Sequence, residues 1–369
     1  MSQPIPALRK TPLNALHRAG SARMVDWAGW EMPAEYGGRV AEHLAVRTAA
    51  GLFDQSQHGQ IELAGKDALA ALQYLASNDL SVLRTGQAGS AVLTTTGGTV
   101  VDVVAIHRLA GSHFLLVADA PGAAADVAWI AAQAKRFGDV AVLDTSARYA
   151  GVALQGPLAE DVLQGLANFP LGDLEPGWFA HGEVAGVRVT ISRTGRVGED
   201  GFELLAPPQG APTLWTSILR EGDGAGVLPV GLVAQDTLRL EAGVRLCGRD
   251  LDPSMTPLEA GFDDLVAWDK GDFASRAALV AERERGVARR IVGIETPEAA
   301  APAGGVYVGG ARVGTVTSGV VAPFLKKGIG LAPVPAGHAA PGTACDVDVG
   351  GRLVGARVVT LPFYHRSER

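Results

Sequence analysis

The sequence of 369 residues is short of most features that announce a function class. It has two cysteines, Cys247 and Cys345, far apart along the chain, which offer neither a disulfide framework nor a paired-thiolate metal motif and fit a reducing compartment. It has no excess of positive charge: 32 Lys and Arg stand against 39 Asp and Glu, a formal net charge of -7, so no overall cationic field exists to condense onto a phosphate backbone and nucleic acid is not expected as a partner. No apolar run approaches the roughly 20 residues that span a bilayer, and the opening stretch MSQPIPALRKTPLNALHRAG lacks a secretory apolar block. A cytoplasmic protein that stays out of the membrane is the expectation. Phosphate loops of the G-x-x-x-x-G-K-S/T type, a G-x-G-x-x-G turn after a strand, H-E-x-x-H and the G-x-S-x-G elbow are all missing, so nucleotide hydrolysis, dinucleotide redox, zinc proteolysis and the hydrolase elbow lose support. The eight histidines stand singly, without metal-ligand spacing, and each reads as a surface or packing residue.

What the sequence does have is apolar mass and turn residues. Hydrophobic residues make up 47% and charged residues 19%, enough for a large core, and at roughly 150 residues per domain the length suggests two or three domains. Gly (48) and Pro (21) are scattered at turn positions, which points to many short strands. Ala41 to Ala50 reads as a helix stopped by Gly51, His58 to Leu63 as a strand, and Lys66 to Ala76, with Leu69, Leu72 and Leu75, as an amphipathic helix. Ser90 to His107 reads as two β runs joined through Gly97-Gly98, followed by a strand at Phe114 to Val117, a helix from Pro121 to about Lys135 and a strand at Val140 to Asp144. This is α+β grammar. A second unit follows, with strands at Gly151 to Gln155 and Val184 to Ser192, a short helix from Pro157 to Leu166 and a helix from Gly231 to Ala242 closed by Gly243. The charged run Ala281 to Arg290 reads as a linker or helix end, and from Ile291 to Phe363 the chain is nearly all strands and glycine turns, as in a small barrel or jelly roll. A boundary near residue 285 divides residues 1–285, two interleaved α+β subdomains, from a β-barrel over residues 286–369.

The chemistry lies in acids set among apolar residues. Asp102, in VVDVVAI, would be partly desolvated and would bind a proton or an NH-bearing ligand more tightly; the plainer alternative turns it to the solvent face of a half-buried strand. In GEDGFE, Phe202 directed into the core would leave Glu203 on the other face of the sheet with Glu199 in the preceding turn. A carboxylate there suits a planar ligand rich in NH groups, such as a pterin or guanine, through two parallel hydrogen bonds; a turn acid capping its own backbone is the alternative. Lys326-Lys327 is either a carboxylate-binding pair or a solvated face.

In order along the chain, the blocks TPLNALH, MVDWAGWEMPAEY, EHLAVRTAAGLFD, GGTVVD, ALQGP, GEDGFEL, DTLRLEAG, MTPLEAG, DKGDF, GTVTSG and LKKGIG, from Thr11 to Gly330, resemble the aminomethyltransferase family, the T-protein of the glycine cleavage system. The resemblance implies a three-domain ring of α+β class with a central folate channel. It implies that tetrahydrofolate attacks an aminomethyl group carried on the lipoyl arm of an H-protein, releasing ammonia and leaving methylenetetrahydrofolate. Carried over by position, the essential acid falls on Asp102, the second residue of what is often a double aspartate, with Val101 in place of the first, and the pterin clamp falls on Glu203. A carboxylate at Asp102 could orient the attacking nitrogen, hold a proton and stabilise developing positive charge.

The chain departs from the family pattern at four places expected to lie near that cavity. Arg196 stands where an aromatic residue would line the pterin pocket, Gln235 replaces an arginine expected to contact folate, Asp264 takes about the place of a tryptophan near the folate, with Trp268 close by, and Gln57 with His58 replace a histidine and methionine. Loss of stacking would weaken a flat ligand by roughly one to a few kcal/mol. Three other readings use the same scaffold: a tetrahydrofolate-dependent demethylase of another small-molecule methyl donor, a chain that keeps the ring with an altered ligand in place of folate, and a non-catalytic folate-binding protein. Against the last, Lys270-Gly271 continues as Asp272-Phe273 rather than as the K-G-C-Y motif of iron-sulfur assembly relatives.

Overall fold

The computed structural model describes residues 7–366. Two mixed α+β layers and a third, all-β layer carry most of the chain. The first sheet has six strands in the order Phe179–Val184, Val187–Ser192, Gly201–Ala206, Ala150–Gln155, Gly51–Asp54 and Leu228–Val230, antiparallel except for the last pair. The second has five antiparallel strands in the order Ala88–Thr94, Val100–Ala110, His113–Ala118, Gly59–Ala64 and Ala141–Asp144. Gly51–Asp54 belongs to one sheet and Gly59–Ala64 to the other, so the short turn 55–58 is where the chain crosses between them. Each sheet is apolar on the face that its helices cover. Leu154, Phe202, Leu204, Leu214 and Ile218 fill one core, and Leu63, Leu72, Leu75, Ile106, Phe114 and Ile130 the other.

The expected elements form near the expected places, and one strand needs correction. Val184 to Ser192 is not one strand, because Ala185 and Gly186 both take positive φ (50° and 75°) and turn the chain into a hairpin. Of the two readings of the run Ala281 to Arg290, the helix end holds: its first half completes the helix Arg276–Arg285, whose Leu279 and Glu282 are buried, and Arg289 already opens the next strand. From there the chain forms one seven-stranded sheet whose edge strands are Ala311–Thr315 and Ser318–Ala322. Only Val316 and Thr317 separate those two edges in sequence, so the sheet must curl strongly to bring them together, as a barrel does. The closeness shows at Gly314, where a Cβ would lie 2.4 Å from the Pro333 carbonyl oxygen on the strand next to the far edge. Lys327 pairs with Glu295 on this sheet while Lys326 is exposed, so the two lysines do not form one anion-binding pair. Among the described residues, no helix is long and apolar enough to cross a membrane.

The third layer is fastened to the first by the helix Leu232–Glu241. Arg239, buried, donates to Asp250, to the Val244 carbonyl and to Ser318, and Asp250 in turn accepts from Thr317 and Ser318 of the curled sheet. Its neighbour Glu241, also buried, holds His43 and Arg47 from the helix Arg39–Thr48.

Candidate functional site

A cavity of about 540 Å³ lies where the two α+β sheets face each other and the segment after the helix Leu232–Glu241 covers them. That size falls within the usual range for small-molecule sites. One wall is the strand Val100–Ala110, through Val103, Ala105 and His107; the opposite wall is Ser192, Glu203 and Leu205; Arg245, Phe262 and Leu265 come from the covering segment.

Glu203 reaches the cavity by simple alternation. In the strand Gly201–Ala206, Phe202 and Leu204 are buried in the core, so Glu203 and Leu205 face the other way. The Thr194 hydroxyl donates to Glu203 Oε2 at 2.5 Å, leaving the second carboxylate oxygen without a partner among the described side chains. His107, from the facing sheet, shares a 2.8 Å hydrogen bond with Ser192, the strand neighbour of Glu203, and so ties the two sheets together at this point. Burial pushes the His107 imidazole below its usual value, and the nearby Glu203 charge only partly opposes this.

Asp102 is not on a solvent face: it is 4% exposed. Register explains its direction. Leu93 faces Asp102 and Thr94 faces Val100, so Val101 is an extra residue bulged into the strand and packed toward the apolar core. The backbone N–H of Val103 donates to Asp102 Oδ1 at 2.8 Å, whereas Oδ2 is buried without a partner among the described residues. Next to it lie Asp126, in the first turn of the helix Ala123–Ala134, and Cys247. Burial, and then the Asp102 charge, push the Asp126 carboxyl up to about 8. The same two causes push the Cys247 thiol well above its usual range.

Arg196 lines the cavity, as expected of its position, but its guanidinium is committed: both terminal nitrogens grip Asp119, Nη2 to Oδ2 at 3.0 Å. Although burial would raise the Asp119 carboxyl, Arg196 holds it below the usual carboxylate range. Asp102 and Glu203 both act on Arg196 electrostatically, so this one cation stands between the two acids. His58 also lines the cavity, with Nε2 3.7 Å from Asp119; burial holds its imidazole below the usual value despite that neighbour. Arg196 and His58, two of the departures from the family pattern, thus meet on one aspartate.

The remaining departures do not share the wall. Asp264 sits on the exposed side of the short turn Asp263–Leu265, which instead directs Phe262 and Leu265 to the cavity. Trp268 packs with Leu258, Val266 and Phe273, under the guanidinium of Arg283. Gln235 lies on the helix Leu232–Glu241, whose buried face is Ala234, Thr237, Leu238 and Glu241, and it does not line the cavity. Gln57 is buried beside it but not in its wall. Glu199, the acid in the turn before Glu203, faces away and pairs with Arg47 at 3.0 Å.

Several cavity residues carry no motif in the sequence. Among the described residues neither end of the Gln60 amide, 0% exposed, has a partner, nor does the buried Nε of Arg245, whose guanidinium stacks 5.1 Å from the Phe262 ring centre. A buried amide and a guanidinium nitrogen without partners, beside a carboxylate and an aromatic ring, are what a flat, NH-rich and carbonyl-bearing ligand would satisfy. The donor set therefore fits a reduced pterin. Of the histidines read as surface or packing groups, His17 and His43 are buried in networks with Asp54 and Glu241, while His58 and His107 line the cavity.

Family models match almost the whole chain: one described as the GCVT N-terminal domain covers residues 13–270, and one described as the glycine cleavage T-protein C-terminal barrel domain covers residues 289–365. An aminomethyltransferase of Desulfitobacterium hafniense is 44% identical over 362 residues, 98% of this chain and 99% of that one. An aminomethyltransferase of Koribacter versatilis is 42% identical over 379 residues, covering 100% of both chains. The crystal structure of the glycine cleavage system aminomethyltransferase T from Bartonella henselae superposes with a TM-score of 0.89 at 33% identity, over 97% of this chain and 98% of that one.

Proposed function

The chain belongs to the aminomethyltransferase family of glycine cleavage T-proteins, and from that premise we propose that it moves an aminomethyl carbon from the lipoyl arm of a partner H-protein to tetrahydrofolate, with release of ammonia. The observation that carries this reading is a wall carboxylate at Glu203 in a cavity whose opposite wall strand also carries, next to the lining residue Val103, the buried Asp102 with a carboxylate oxygen that has no partner among the described residues. Tetrahydrofolate, when bound, supplies the ring nitrogen that takes up the one-carbon unit.

The chain's own residues supply position and proton control. Glu203, steadied by Thr194, accepts from the amino and NH edge of the pterin; two parallel hydrogen bonds to a charged acceptor fix both the ring's plane and its rotation. Phe262, Leu265, Val103 and Leu205 offer apolar area to the ring faces, and Gln60 and Arg245 offer unpartnered polar atoms to its oxygen and nitrogens. The Asp102 carboxylate takes up the proton that leaves the attacking nitrogen. A carboxylate buried as deeply as Asp102 acts at close range on any positive charge that develops beside it. Arg196, pinned by Asp119, balances the two acids without being free to capture either of them. The division at about residue 285 is part of the same proposal, with residues 286–369 closing the third side of the ring.

Calorimetric titration of the full chain with tetrahydrofolate, followed by turnover with lipoylated H-protein, tests the reading. Tight binding and ammonia release are expected. Replacement Asp102→Asn is expected to leave folding and folate affinity nearly unchanged and to lower turnover by about a hundredfold or more. Unaltered turnover would remove Asp102 from the mechanism.

A further inference from the structure

Asp126 has no place in the reading above, yet its carboxyl lies beside that of Asp102. It is 3% exposed, and its Oδ2, like Oδ2 of Asp102, is buried without a partner among the described residues. Both oxygens converge on the bare backbone of Gly122: a Cβ placed there would lie 3.1 Å from Asp126 Oδ2 and 3.4 Å from Asp102 Oδ2. Glycine at this position leaves the space between the two acids open. Two carboxylates turned toward each other in a dry setting cannot both be charged, and one proton between them satisfies both oxygens as donor and acceptor.

We propose that Asp126 is a positioning residue for the reaction, holding with Asp102 a single shared proton that fixes the direction and charge of the catalytic carboxylate. The proposal rests on the reading of Asp102 given above, and the geometry of the pair stands independently of it. The surroundings favour one negative charge on the pair rather than two or none. On the favourable side, the helix Ala123–Ala134 begins at Gly122 and directs its N-terminal end toward the pair, and Arg196 acts on Asp102 from the cavity. The neutral thiol of Cys247, a weak donor facing Asp102, adds to this side, while on the opposing side stands Asp119, whose charge acts on Asp126 and is itself offset by Arg196. The elevation of the Asp126 carboxyl to about 8 agrees with a proton retained at neutral pH. Because protons on such a pair leave in steps that belong to both groups, the pair and not either residue sets the working pH of the site.

Infrared difference spectroscopy of the full-length chain, titrated from about pH 5 to about pH 10, reads the proton directly and needs neither folate nor donor. The parent chain is expected to show a protonated-carboxyl C=O band that disappears only well above the ordinary carboxylate range, and Asp126→Asn to lack it. In turnover, Asp126→Ala is expected to lower kcat by roughly tenfold or more with little change in folate KM, and Asp126→Asn, whose amide still donates to Asp102, to restore most of kcat while moving the basic limb of the pH profile. Absence of the band from the parent, its persistence in Asp126→Asn, or a parental pH profile in both variants would overturn the proposal. A chain that shows the band yet binds no tetrahydrofolate would support the shared proton and refute the assigned activity.

Discussion

Glu203 and Asp102 arrive at the cavity by different rules, and the difference decides how each can be tested. Glu203 depends on alternation alone: one strand residue inward, the next outward. Its side chain can therefore be removed without disturbing Phe202 on the other face. Glu203→Ala is expected to weaken tetrahydrofolate binding by about 2 kcal/mol, the cost of leaving the pterin's donors unpaired, with little change in thermal stability; calorimetry on the variant checks this, and parental affinity would rule out the clamp. The same rule made Glu203 readable from the sequence, because GEDGFEL already shows which residue is apolar. Asp102 was readable as a desolvated acid, but its direction was not, since that depends on the bulge at Val101, which only the partner strand reveals. Asp126 left no signal at all: an acid in the first turn of an Ala-rich helix looks like an ordinary helix-dipole residue, and only the Gly122 approach makes it a partner of Asp102. Gln60, His107 and Arg245 were hidden for the same reason, since their meaning comes from what faces them across two sheets.

At the scale of elements, the periodic segments were legible and the junctions were not. The helix Ala68–Leu75 shows its apolar stripe in sequence, yet its C-terminal end is completed from far along the chain. Lys270 donates to the carbonyls of Gln73, Ala76 and Asn78 at 2.6 to 2.8 Å while its ammonium lies 4.6 Å from the Phe273 ring centre. Its interest as part of a K-G motif thus gives way to a structural role: a cation that satisfies carbonyls at the end of this helix and the turn after it. Lys270→Met keeps the apolar stem and removes three donors, so it is expected to destabilise the chain by about 2 kcal/mol, measured by denaturant unfolding, without changing folate affinity. A variant as stable as the parent would show that water replaces the lysine at no cost. Asp264 illustrates the opposite failure. Placed by counting along GFDDLVAWDKGDF, it lands near the folate, but the turn Asp263–Leu265 sends the acids outward and the apolar residues inward.

For the molecule as a whole, the question is what keeps the curled C-terminal sheet against the two α+β layers while a cavity remains open beside the junction. The apolar contact is shared by Leu240, Met255, Ile291, Ile329 and Phe363, and at its margin sits one buried ionic node, Arg239 with Asp250 and Ser318. Burial alone would raise the Asp250 carboxyl, but Arg239 and the Ser318 and Thr317 hydroxyls outweigh it and hold the group below the ordinary aspartate range. Because the folded value is the lower one, this contribution to stability is complete above the ordinary aspartate value and is lost as the pH falls through the depressed one. Arg239→Met keeps much of the side-chain volume but leaves Asp250 buried and unpaired, for which a loss of about 3 to 5 kcal/mol at neutral pH is expected. The sign of the pH dependence then inverts. An unpaired buried carboxylate has a raised folded value, so protonation relieves it, and the stability gap between variant and parent should narrow as the pH is lowered from about 7 toward about 4. Denaturant unfolding of both chains across that interval measures the gap; a constant difference would mean that Arg239 acts through packing and its other hydrogen bonds rather than through the charge of Asp250.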